Sequence, residues 1–262
     1  MTATRYPFLD HSGPLAMAHR GGALHPDNIG YENSMRAFAH AVGLGYEYLE
    51  TDLHATSDGV VVAFHDDRLD RVTDRTGVIS ELPWSEVSKA RINGHEPIPL
   101  LLDVLEEWPT LRLNLDIKAP NGVQPAADVI RKAGAIDRVC VSSFSQRRVW
   151  SIRRELGERL CTGFGRVEIA ALRYSPFPLV LPGTGACIQI PEYYGRFKVL
   201  TPGLIRRAHA AGRQVHVWTV DDADEINRFL DAGVDGIFTD RTDILRDVLI
   251  ARGQWNPNGA SA

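Results

Sequence analysis

Short apolar runs of β-forming residues alternate along this chain with stretches whose apolar positions recur at helical spacing. "LAMAHRG" (15–21) reads as a strand and "ENSMRAFAHAVGLG" (32–45) as a helix, with Met35, Phe38, Ala39 and Val42 on one face and Asn33 as its N-cap. "EYLETDLHAT" (47–56) is a second strand, and "GVVVAFHD" (59–66) is strand-like after the turn "SDG". Residues 67–98 break the rhythm. They are polar, punctuated by Gly77, Pro83 and Gly94, and read as an inserted excursion with a short helix near 84–90.

Regularity returns with a helix over 99–107. Strands follow at 111–118, 138–144, 159–165, 185–191, 214–220 and 234–240, each succeeded by a helical stretch. "EYYGRFKVL" reads as a loop, and Gly134, Gly212 and Gly233 close helices. The tail at 253–262 reads as disordered and the rest, 1–252, as one domain. Eight strand–helix units in this length predict a parallel sheet closed on itself, a (β/α)8 TIM barrel with a small insertion after the second strand. The open doubly wound sheet is the rival, but no G-x-G-x-x-G follows the first strand.

Composition narrows the function classes. The chain has 262 residues, 44% hydrophobic and 24% charged, with a formal net charge of −4. That balance offers no general attraction to nucleic acid, and no apolar run approaches the ~20 residues that span a bilayer. The start shows no basic stretch followed by an apolar core, so the expectation is a cytoplasmic protein, monomer or homodimer, without stable membrane insertion. Cys140, Cys161 and Cys187 lie in apolar segments and read as buried reduced thiols.

The chemistry gathers where barrel strands end, the face that carries active sites in this architecture. His19 and Arg20 end the first strand. Glu50 and Asp52 share a face of the second, since side chains alternate along a strand. Asp116 and Lys118 share a face of the third; Ser142, Ser143 and Ser145, Gln189, Trp218 and Asp240 end later ones. Buried charge costs several kcal/mol unless paired or bound to a cation. Glu50, Asp52 and Asp116 crowding one mouth therefore predict a divalent cation, Mg2+ or Ca2+ by their all-oxygen character. A lone histidine is usually a satisfied core group, but His19 and His65 flanking an acidic site can act as general acid and base. Arg20 and Lys118 supply positive charge for a phosphate. Together these point to a phosphoester hydrolase acting on a small molecule.

"AHRGG", "ENSMRAFAHAVGLGYEYLETDLHATSDGVVVAFHDDRLDRVTDRTG", "LNLDIK", "VSSF", "VHVWTVDD" and "GVDGIFTDRTDIL", in this order, resemble the glycerophosphodiester phosphodiesterase family. The resemblance implies a (β/α)8 barrel with an insertion after the second strand, and hydrolysis of a glycerophosphodiester to an alcohol and sn-glycerol 3-phosphate with a divalent cation. It implies His19 and His65 as the catalytic pair, Arg20 as a phosphate ligand, Glu50 and Asp52 as metal ligands, and Glu32 as a second-layer or substrate-contacting group. Trp218 would line the glycerol side. Asp116 departs from the family's usual glutamate at the third metal position, and the stretch before Glu32, "LHPDNIGYEN", is longer than usual. Two other readings are a lysophospholipase D, using apolar residues of the insertion and of 173–183 for an acyl chain, and a non-catalytic phosphodiester-binding barrel. Water could attack directly, or the glycerol 2-hydroxyl could first form a cyclic phosphate.

Overall fold

A computed structural model describes residues 5–175 and 184–256. Eight parallel strands form its centre: β1 (Leu15–His19), β2 (Tyr48–Ala55), β3 (Arg112–Ile117), β4 (Val139–Ser142), β5 (Cys161–Thr162), β6 (Cys187–Ile190), β7 (Gln214–Val217) and β8 (Gly236–Thr239). Neighbours pair in the order β5-β4-β3-β2-β1-β8-β7-β6, and a parallel bridge from Gly163 to Cys187 joins the two ends. The sheet closes. Eight helices follow the strands: α1 (Met35–Gly43), α2 (Leu101–Glu107), α3 (Val123–Lys132), α4 (Gln146–Leu156), α5 (Arg166–Tyr174), α6 (Pro202–Ala210), α7 (Ala223–Asp231) and α8 (Thr242–Ala251). The barrel expected from the strand–helix alternation is the fold.

Alternation along each strand divides the core in two. Ala16, Ala18, Leu49, Leu53, Leu113, Leu115, Ile117, Ile188 and Ile237 pack outward against the helices. Leu15, Met17, Tyr48, Cys140, Cys187 and Phe238 fill the lower interior, where Phe8 packs edge-to-face on Tyr48 and accepts a hydrogen bond from its hydroxyl at 2.8 Å. The same inward parity continued upward gives His19, Glu50 and Asp52, Asn114 and Asp116, Ser142, Gln189, Trp218 and Asp240. The interior is thus apolar at its base and polar at its mouth. All three cysteines are buried and free, as expected.

Four local expectations change. Ser34, not Asn33, caps α1, accepting from the Ala37 amide, because Asn33 is turned to positive φ and its side chain is engaged elsewhere. "GVVVAFHD" contributes only Val61–Ala63, which pairs antiparallel with β2 and stays outside the barrel. The loop after β6 contains a hairpin of Tyr193–Tyr194 and Phe197–Lys198. Within the expected tail, Trp255 packs edge-to-face on Tyr46 at 5.1 Å, since its apolar area gains by covering the core; residues 257–262 lie outside the described residues. The excursion at 67–98 is compact, with Leu69, Ile79, Val87, Ala90, Ile92 and Ile98 packing with Val62 and Phe64 into a separate small core. Its helix is a single turn, Trp84–Val87.

Candidate active site

Register sets the polar mouth. His19, Glu50 and Asn114 are successive cross-strand partners, and Asp52, Asp116 and Ser142 form the same series two residues higher. Above them opens a cavity of 710 Å³ lined by His19, Arg20, Glu50, Asp52, His65, Asp116, Lys118 and Trp218. Eight of the nine expected site residues face one space. Glu32 is the exception. It lies behind Arg20, 3.2 Å from its guanidinium, and is gripped by Arg71 at 2.6 Å. It therefore positions Arg20 and does not line the cavity.

His19 Nδ1–H donates to Asp240 at 2.7 Å, which leaves Nε2 toward the interior, 3.7 Å from Glu50. Burial works to lower the His19 pKa, but Glu50 and the bond to Asp240 outweigh it, and the net shift is upward. His65 reaches the site by a reversal. Its strand runs back along β2, the Phe64 amide donates to the Asp52 carbonyl, and the ring arrives beside Asp52. His65 Nδ1–H donates to Asp66 at 2.6 Å, and the His65 carbonyl accepts from His54 Nε2–H at 3.1 Å. Each imidazole thus has one nitrogen fixed by a carboxylate. Such a pairing sets the tautomer and the ring orientation.

Arg20 adopts a left-handed backbone, φ 50°, which ends β1 and lets its amide donate to Glu50 at 3.2 Å. Behind it Gly21 and Gly22 have φ of 81° and 86°, and a Cβ on Gly22 would lie 2.7 Å from Thr242. Neither a side chain nor an ordinary backbone fits there. Asn33 links the helix side to the mouth, donating to Asp52 at 3.0 Å and accepting from Thr51 at 2.7 Å.

The carboxylates are not equivalent. Burial, then the neighbouring Asp52, pushes the Glu50 carboxyl up to about 7. Asp52 is equally buried, but Lys118 and Arg20 outweigh that penalty and hold it below its ordinary value. Burial raises Asp116. Lys118 sits between the two aspartates, 2.7 Å from each, and their charges raise its pKa against the effect of burial. The expected cluster of three acids is therefore an interleaved set in which Lys118 separates Asp52 from Asp116. The described groups that bring three metal-binding atoms within 4.8 Å of one another lie elsewhere: the cysteines, and His25 with Asp27 and His40. Two buried atoms of the mouth lack a hydrogen-bond partner: the acceptor Asp116 Oδ1, and Arg20 Nε, which lies in ion-pair range of Asp52 at 3.3 Å.

Asp66 and Arg71 carry weight that the sequence reading did not assign. Arg71 ties Asp66 to Glu32, so one guanidinium from the insertion braces both the His65 and Arg20 sides. Asp66 adjoins His65 in the chain and was findable from that alone; Arg71 carried no local signal.

Comparisons with known proteins bear on the chain's family and fold. A probable glycerophosphodiester phosphodiesterase 2 of Mycobacterium tuberculosis is 42% identical over 255 residues, covering 95% of this chain and 96% of that protein. A human lysophospholipase D is 28% identical, covering 89% and 85%. The solved structure of a putative glycerophosphoryl diester phosphodiesterase from Silicibacter pomeroyi superposes with a TM-score of 0.79 at 20% identity, covering 97% and 99%. A phosphodiesterase of Oleispira antarctica, solved with its product sn-glycerol-3-phosphate, gives 0.75 at 22% identity, covering 90% and 97%. The model of the glycerophosphoryl diester phosphodiesterase family matches residues 19–244, from the first mouth histidine to the start of the last helix, and the chain belongs to that family.

Proposed function

We propose that this chain hydrolyses glycerophosphodiesters to an alcohol and sn-glycerol 3-phosphate, with His19 and His65 as the proton-transferring pair. The observation that carries the reading is the pair itself. Two imidazoles, each anchored through Nδ1 by its own carboxylate, open on one cavity that also presents Arg20 and Lys118. One ring takes the proton of the attacking hydroxyl or water, and the other returns a proton to the departing alkoxide. Arg20 offers a planar fork to the phosphate, held in place by Glu32 behind it. Lys118 adds positive charge beside the same oxygens, and Trp218, edge-to-face with Phe144 at 5.5 Å, provides an apolar wall for the glycerol carbons.

The donor set suits a hard divalent cation. Glu50 and Asp52 share an inward face, all candidate donors are oxygens, and the unpartnered Asp116 Oδ1 is the kind of buried acceptor that a cation or its water would satisfy. Glu50 and Asp52 are the direct ligands in this reading, with Asp116 completing the set while sharing its other oxygen with Lys118. Mg2+ or Ca2+ so held would withdraw charge from a phosphoryl oxygen and acidify the nucleophile.

The lysophospholipase D reading is not favoured. The relative at 42% identity bears the phosphodiesterase name. Most of the 173–183 stretch named for an acyl chain lies outside the described residues and bears on neither reading. Release of glycerol 3-phosphate from a panel of glycerophosphodiesters tests the proposal. Activity should vanish with EDTA and return with Mg2+ or Ca2+, and His19→Ala and His65→Ala should each lose at least about a hundredfold in kcat. Near-wild-type turnover in both variants would end the two-histidine assignment.

A further inference from the structure

The cavity is far larger than a glycerol phosphate, and its ionisable lining divides in two. The acids that line it, Glu50, Asp52 and Asp116, all stand at the inner end on β2 and β3. The outer end is built by α5 and the hairpin after β6. Its ionisable lining is cationic: Arg166, Arg173, Arg196 and Lys198. Lys198 is neutralised by Glu192 at 3.0 Å. The three arginines make no ion pair among the described residues. Arg173 is held by the Val199 and Lys198 carbonyls at 2.7 and 3.1 Å. Arg166 donates to the Tyr194 hydroxyl at 3.2 Å.

Aromatic rings at this end could suggest a cage for a quaternary ammonium head group. Each of three of these rings already carries a guanidinium over it. Arg166 stands over Phe144 at 5.4 Å and over Tyr194 at 5.3 Å, and Arg196 stands over Phe197 at 5.3 Å. A cationic alcohol would meet stacked guanidinium ions, whereas a phosphate would meet forks fixed by those rings.

We propose that the outer end is a subsite for a leaving alcohol that carries its own phosphate, so that a phosphate-bearing diester such as bis(glycerophospho)glycerol is preferred to a choline ester. This rests on the phosphodiesterase reading given above. The inner end would hold the glycerol phosphate being cleaved, and Arg166 and Arg196 would hold the second phosphate.

The test compares glycerol 3-phosphate release from bis(glycerophospho)glycerol and from glycerophosphocholine, in the wild-type protein and in the double variant Arg166→Gln/Arg196→Gln. Both arginines are exposed and lie outside the inner site. The wild type should favour the phosphate-bearing substrate in kcat/KM by about tenfold or more. The double variant should lose most of that preference through KM, with glycerophosphocholine turnover changed by less than about twofold. Raising salt from about 50 to about 500 mM should raise the wild-type KM for the phosphate-bearing diester alone. Equal efficiency on both substrates, unaltered by the variant or by salt, overturns the subsite and leaves the activity standing. Failure to release glycerol 3-phosphate from either substrate instead overturns the reading beneath it.

Discussion

Asp240→Asn isolates one side-chain contact of the proposed chemistry. Asp240 follows β8, accepts from His19 Nδ1–H at 2.7 Å, and has its own backbone amide held by Asp221 at 2.7 Å. Asparagine has nearly the same shape, so packing should survive. What goes is the negative charge that orients the ring and stabilises its protonated form. A hydrogen bond to a charged partner contributes about 1.5–3 kcal/mol. At ~1.36 kcal/mol per tenfold, that is about a 10- to 150-fold loss in kcat, with KM within about twofold. The loss would be larger if the amide selected the other tautomer, as it does in the serine-protease triad. The pH profile supplies the sign. Asp240 is one of the groups that raise the His19 pKa, so its neutralisation lowers that pKa. The limb belonging to His19 should move toward lower pH while the other limb stays. Steady-state kinetics across pH, with a thermal melt to confirm folding, make the measurement. A kcat within about twofold of wild type with both limbs unmoved would show that Asp240 does not position the ring.

Three further outcomes follow from the same mouth. Lys118→Met leaves Asp52 and Asp116 buried without their shared cation, a change that typically costs about 3–5 kcal/mol. In a domain of this size that should lower Tm by about 6–20 °C without added metal, and calorimetry showing a drop under about 2 °C would refute the pairing. Glu50 has its folded-state pKa raised, to about 7, so the protonated form is the one the fold favours. Glu50's contribution to the stability of the metal-free protein is therefore full below the ordinary glutamate range and is lost as pH rises toward 7, opposite in sign to that of the depressed Asp52. Because a bound cation requires the carboxylate, its affinity should rise through the same interval and level off above it, as isothermal titration across pH would show. A pH-independent affinity would remove Glu50 from the ligand set.

Strand alternation and strand count were enough to give the barrel, because inward and outward positions follow a period of two and His19, the three acids, Trp218 and Asp240 kept the inward phase at the C-terminal ends. His19, Glu50, Asp52, Asp116, Trp218 and Asp240 could be placed at the mouth from that phase alone. Tertiary structure decided the rest, since it depends on contacts between segments with no local signature. His65 reaches the site only because its strand doubles back on β2. Glu32 is drawn behind Arg20 by Arg71, which arrives from the insertion 39 residues later in the chain. Lys118 and Asp116 share a face in sequence, yet their ion pair with Asp52 depends on the β2–β3 register, which brings Asp52 opposite Asp116. A pattern along one chain can say which way a side chain points. Which charge meets which is settled where strands and loops distant in sequence come together.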